Sequence, residues 1–145
     1  MIRKASAVWH GDLKSGHGTK TAHSGAFKEL PYTFSTRFEE KPGTNPEELI
    51  AAAHAGCFAM ALSADLDKAG MKPHRVEATA AVTLETVDGK PTITKSHLTV
   101  KATVPGADPA KFMEVANGTK VGCPVSRVLK AEITMDATLE AAVKV

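Results

Sequence analysis

The chain has only two cysteines in 145 residues, too few for a disulfide scaffold. At 15.2 kDa it is large enough to fold on a hydrophobic core without disulfides or a structural metal, and it is short enough to be one domain spanning 1–145. Basic residues form no run, and 18 Lys plus Arg nearly balance 16 Asp plus Glu, for a net charge of +2. That balance argues against a nucleic-acid footprint. No uncharged apolar stretch reaches the roughly 20 residues of a membrane span. The first residues, Met1-Ile2-Arg3-Lys4-Ala5-Ser6, contain no apolar segment of secretory length. The expected compartment is the cytoplasm, where cysteines are kept as thiols. Repeats, low-complexity tracts, CxxC pairs, phosphate-cradling loops and G-x-S-x-G elbows are absent. Six histidines form no HxH, HxxxH or HExxH spacing, so no metal site is expected.

What is present reads as α+β. Residues 1–40 read as strands and turns, with a first strand at Ala5–Trp9 and turn signals at Gly16-His17-Gly18 and Ser24-Gly25. Tyr32, Phe34 and Phe38 share one parity, which predicts an extended segment with Arg37 on the opposite face. Asn45-Pro46 starts a long helix as N-cap and first helical residue, and Gly70 stops it. From Leu49 to Ala64 that helix carries almost no charge, which predicts a central position, enclosed by a sheet or a partner chain. Val76–Leu84 and Leu98–Val104 alternate as the arms of a hairpin around Asp88-Gly89. Ile93 is out of phase with Leu98, so a bulge is expected between them. Asp108-Pro109 opens a helix ending at Asn117 before Gly118, Cys123-Pro124 opens another to Lys130, and Ile133–Leu139 is a last strand. Hairpins dominate, so pairing should be mostly antiparallel.

The chemistry centres on Cys57 and Cys123, 66 positions apart. Cys57 lies in the apolar helix, where a buried filler and a functional thiol are both consistent with its neighbours. Cys123 sits where a helix begins, and the free N–H groups there favour a thiolate. Glu47 is ten residues before Cys57, about 15 Å along the helix axis, and could orient an arginine that reaches toward a thiol in its own chain or a partner's. Arg37 is the candidate, and a surface pair with Glu39 or Glu40 is the alternative. His54, three residues before Cys57, shares its helix face. It reads as a hydrogen-bonded helix histidine rather than the base of a Cys–His pair.

These residues fall into motifs. Thr44-Asn45-Pro46-Glu47-Glu48-Leu49, continuing through Ala52-Ala53-His54-Ala55-Gly56-Cys57-Phe58-Ala59-Met60, resembles the central-helix signature of the OsmC/Ohr hydroperoxide reductases. Val121-Gly122-Cys123-Pro124-Val125-Ser126 resembles their second-cysteine motif. Trp9 with Gly11-Asp12, Pro31-Tyr32 through Phe38, and Leu129–Thr134 resemble the OsmC branch. The resemblance implies an OsmC-like fold and an intertwined homodimer with two sites at its interface. It implies reduction of organic hydroperoxides, and of hydrogen peroxide less or comparably, in defence against oxidative or osmotic stress. No metal, flavin or haem is implied. By the same resemblance Cys57 is the peroxidatic cysteine, Cys123 the resolving cysteine, Arg37 the activating arginine and Glu47 its partner. A dithiol, such as a dihydrolipoyl protein, is the implied reductant. Phe58, Met60, Tyr32 and Phe34 are candidates for an apolar wall that suits organic tails. Two other classes stay open from the residues alone: a general thiol–disulfide oxidoreductase, and a non-enzymatic dimer that binds a small ligand or senses redox state.

Overall fold

In a computed structural model, which describes residues 1–141, the chain divides into two compact units, Met1–Leu49 and the residues from Ile50 onward. The first unit is a three-stranded antiparallel sheet, β1 (Ala5–His10), β2 (His17–Ala22) and β3 (Leu30–Tyr32), followed by a short helix α1 (Phe34–Phe38). The turn between β1 and β2 is Gly11–Gly16, where Asp12 accepts hydrogen bonds from the backbone and hydroxyl of Ser15 at 2.7 Å. Gly18 therefore lies inside β2 and not in the turn expected at Gly16–Gly18. A side chain there is excluded, because a Cβ would stand 2.7 Å from the rings of both Trp9 and Tyr32. The two rings pack 5.3 Å apart.

The segment expected to be extended at Tyr32–Phe38 is helical from Phe34. Thr33 and Thr36 form a reciprocal capping box, each side chain bonding the other's backbone N–H. Phe34 and Phe38 are four residues apart, which matches a helix turn as well as a strand's parity, and their rings sit 5.0 Å apart.

Helix α2 (Pro46–Lys68) begins as the sequence indicates: Asn45 Oδ1 accepts from the N–H of Glu48 at 2.8 Å, and Pro46 occupies the first position. It ends before Gly70, whose φ of 81° is the left-handed conformation glycine tolerates. By length and composition, its 23 residues could cross a membrane, contrary to the expectation from the uncharged stretch alone. In the second unit Phe58, Leu62 and Leu66 are fully buried in the protein's own core.

The second unit is built on β4 (Arg75–Val87), β5 (Lys90–Thr103) and β6 (Glu132–Glu140), in the order β4-β5-β6. The β4–β5 hairpin turns at Asp88-Gly89, both with positive φ. Its register shifts where Thr83 faces Lys95 and Leu84 faces Ile93, which leaves Thr94 as the extra residue of the expected bulge. β6 pairs parallel to β5, so three of the four strand pairs are antiparallel. Two helices make that return: α3 (Pro109–Gly122) and α4 (Pro124–Val128). α3 runs past Gly118, where a stop was expected. Thr119 is buried there, and its hydroxyl donates to Asp65 at 2.7 Å and to the Val115 carbonyl at 3.0 Å, so tertiary contact outweighs glycine's weak helix propensity. The core holds the inward row Leu98, Val100 and Ala102 of β5 with Phe112 and Ala116 of α3.

Candidate active site

Two sets of candidate residues are held in place, one in each unit. In the first, Arg37 occupies the last turn of α1 and Glu47 the first turn of α2. The guanidinium donates through Nε at 3.2 Å and Nη2 at 2.9 Å to Glu47 Oε1. Its alternatives, Glu39 and Glu40, take no part. Glu47 is buried, and a carboxylate in the first turn of a helix is favoured by the helix dipole. The Arg37 side chain is 36% exposed, which leaves it accessible beyond the ion pair. Asn45 ties the two helix ends together, its side-chain amide donating to the Thr36 carbonyl at 3.1 Å. Lys20 adds a second cation that interacts with Glu47. Its ammonium lies 4.3 Å from the centre of the Tyr32 ring, and burial lowers its pKa. A cavity of 210 Å³ opens beside Arg37, walled by Trp9, Tyr32 and Phe34.

In the second unit, the thiols of Cys57 and Cys123 meet: Cys123 Sγ donates to Cys57 Sγ at 3.1 Å, with no bond between them. Cys57 projects from the middle of α2. Cys123 is both the C-cap of α3 and the N-cap of α4, so the junction of two helices delivers its sulfur. Cys123 is buried and Cys57 is partly accessible, the arrangement required if an outside oxidant is to meet Cys57 first. Burial raises the Cys57 pKa above its ordinary value, and the hydrogen bond with Cys123 raises it further. A backbone hydrogen bond from Val125 opposes both. Of the expected apolar wall, Phe58 is fully buried in the core. Met60 is 78% exposed and lines a separate groove of 770 Å³ with Ala59, Ser63 and Val76.

His54 is fully buried and bonded at both ring nitrogens, Nδ1 to Ser96 Oγ at 2.6 Å and Nε2 to Ser126 Oγ at 2.8 Å. Burial lowers its pKa, which favours the neutral ring. This agrees with a hydrogen-bonded helix histidine, but Ser96 carries no signal in the sequence, and Ser126 stands there only as the last residue of the second-cysteine motif, with nothing to pair it with His54. Among the described residues no group of three or more His, Cys, Asp or Glu side chains is placed to hold a metal ion.

Residues 38–138 match the profile of OsmC-like proteins. The chain is 51% identical over 138 residues to the peroxiredoxin OsmC of Escherichia coli, covering 95% of this chain and 96% of that one. It is 31% identical over 98 residues to an organic hydroperoxide resistance protein of Xanthomonas axonopodis pv. citri, 67% of each chain. Among solved structures, the fold is similar to that of an OsmC-like protein of unknown function from Vibrio cholerae, with a TM-score of 0.74 at 14% identity over 95% of this chain and 99% of that one. It also resembles the organic hydroperoxide resistance protein OhrB of Bacillus subtilis, with a TM-score of 0.66 at 22% identity over 93% and 98%. The motifs around Cys57 and Cys123, the α+β fold and these matches agree: the chain belongs to the OsmC-like protein family.

Proposed function

We propose that this chain is a thiol-dependent peroxidase that reduces organic hydroperoxides, and hydrogen peroxide less or comparably, in defence against oxidative stress. The observation that carries this is the 3.1 Å approach of two thiols that lie 66 positions apart. Relatives named as a peroxiredoxin and as an organic hydroperoxide resistance protein support the same chemistry. Cys57 is the peroxidatic residue. Its thiolate attacks one peroxide oxygen, the O–O bond breaks, and the alcohol or water leaves with a proton as Cys57 becomes a sulfenic acid. Cys123 then attacks the Cys57 sulfur, water departs, and a disulfide remains. An external dithiol, such as a dihydrolipoyl protein, returns both thiols.

Burial raises the Cys57 pKa, and a cation at the sulfur would oppose that by favouring the thiolate. Arg37, oriented by the fork to Glu47, is that cation, from the same chain or from a partner. The working unit is a homodimer. Along α2, Ala53, Gly56, Met60 and Ala64 are exposed at steps of three and four, an uncharged stripe opposite the buried face of Phe58 and Leu62. A second copy covering that stripe would remove it from water. The family match crosses the boundary between the two units, which supports reading 1–145 as one domain. The cytoplasm, where thiols are kept reduced, is the compartment in which the cycle can turn over.

Peroxide consumption with a dithiol, comparing an alkyl hydroperoxide with hydrogen peroxide, tests the proposal. The expected result is turnover of both, with the alkyl substrate at least as fast. Dithiol oxidation that is indifferent to peroxide would favour a general thiol–disulfide oxidoreductase.

A further inference from the structure

The thiol contact has a neighbour one helical turn away. His54 precedes Cys57 by three residues on α2, and Ser126 follows Cys123 by three at the start of α4. Two rungs therefore join the same two stretches of chain in opposite directions: Cys57 to Cys123 at 3.1 Å and His54 to Ser126 at 2.8 Å. Helix α4 has five residues, too few to be stable by itself. The side chain of its N-cap residue, Cys123, makes no capping bond, and Pro124 supplies no N–H there. Among the described residues, the bond from Ser126 to His54 is the only hydrogen bond made by a side chain of α4, and it stands beside the backbone hydrogen bond of Val125 to Cys57. The far side of the ring is fixed in turn by Ser96 of β5, so the imidazole is clamped between helix and sheet.

We propose that His54 is a positioning residue for disulfide closure: through Ser126 it anchors α4 so that Cys123 meets the oxidised Cys57. A disulfide needs its sulfurs about 2.05 Å apart, roughly 1 Å closer than the thiols now stand. The His54–Ser126 rung is the point about which the Cys123 end of α4 makes that approach. Both groups are buried, so water does not replace the bond when it is lost. Neither His54 nor Ser126 touches peroxide in this scheme, and no proton need pass through the ring. The inference rests on the peroxidase reading only for the oxidant that acts on Cys57.

The test compares the full-length wild type with Ser126→Ala, Ser126→Thr and His54→Gln, each first checked for folding by circular dichroism. In the first arm the reduced protein is equilibrated with mixtures of oxidised and reduced dithiothreitol, quenched with acid and analysed by mass spectrometry. The ratio of Cys57–Cys123 disulfide to dithiol should fall about tenfold in Ser126→Ala and recover in Ser126→Thr, since threonine keeps the hydroxyl. His54→Gln should fall between them, because an amide reaches one serine and not both. In the second arm one equivalent of an alkyl hydroperoxide is added in a stopped-flow instrument. Ser126→Ala should slow closure about tenfold relative to the peroxide step, which does not use Cys123, and more sulfinic acid should accumulate at Cys57. An unchanged dithiothreitol equilibrium in folded Ser126→Ala, or equal slowing of both steps, would overturn the proposal. If wild type ignores peroxide while the first arm behaves as expected, the peroxidase reading fails and the positioning role stands.

Discussion

Arg37 and Glu47 are held together by charge at the ends of two helices, whereas Cys57 and Cys123 meet sulfur to sulfur against a packed core. The ion pair is forked, with Glu47 buried and Arg37 partly open to solvent. The thiol pair sits against a core that disfavours the thiolate it needs. A peroxidase requires both characters: a dry site that lets two sulfurs meet, and a directional cation that opposes the cost of dryness. The difference between the two regions teaches how each pair can be removed while the other is spared, and such substitutions separate their contributions.

The largest effect is expected at the thiols. Cys57→Ser should abolish peroxide reduction, because an alkoxide is inaccessible near neutral pH and a thiolate is not. Cys123→Ser should consume about one equivalent of peroxide and then stall or over-oxidise at Cys57. Single-turnover consumption measured in both proteins checks the order of events, and equal activity in the two would remove the distinction between attacking and resolving cysteines.

Next comes the cation. Arg37→Ala should slow peroxide attack roughly a hundredfold, the scale of one hydrogen-bond donor lost from a transition state that gains charge on oxygen. The thiolate fraction also falls, so raising the pH should restore part of the rate and not all of it. Arg37→Lys should rescue poorly, since an ammonium cannot reproduce the fork with Glu47. Glu47→Gln should show a milder form of the same defect, because Glu47 acts through Arg37. Stopped-flow consumption against pH measures all three. Wild-type kinetics in a folded Arg37→Ala protein would return Arg37 to a surface ion pair.

Legibility in the sequence followed the range of the interactions. The start of α2 at Asn45-Pro46, its end before Gly70 and the hairpin at Asp88-Gly89 are set by local backbone chemistry and stand where the sequence put them. So does the bulge at Thr94, because a parity break is visible in one dimension. Phe34–Phe38 was ambiguous, since residues four apart share a face in a helix and in a strand. The capping box of Thr33 and Thr36 decided for the helix. Gly118 failed as a stop because Asp65, 54 positions away, holds Thr119 within the helix. At the candidate site, motif resemblance brought out the cysteines, Arg37 and Glu47. Ser96 had no signal, and the motif that contains Ser126 gave no link to His54: the two serines lie 42 and 72 positions from it, and a serine is common in any setting.

The smallest effect concerns the acid side of stability and turns on the buried ring of the second region. Burial holds the His54 pKa below its ordinary value of 6.5. Above that pH the ring is neutral in both folded and unfolded chains, and its contribution to stability is fully present. As the pH falls below 6.5, the unfolded chain binds a proton that the folded chain refuses, so the folded state loses stability until the ring titrates in place. Urea unfolding of reduced protein at pH 7.5 and pH 5 should therefore show a lower midpoint at pH 5 in the wild type. In His54→Gln the drop between the two pH values should be smaller, even if its midpoint at pH 7.5 is lower, because glutamine has no proton to take. Every other titrating group is common to both proteins and cancels in that difference. An equal drop in wild type and His54→Gln would mean that the ring accepts its proton without leaving the fold, and that the hydroxyls of Ser96 and Ser126 can turn their lone pairs to two N–H donors at no cost.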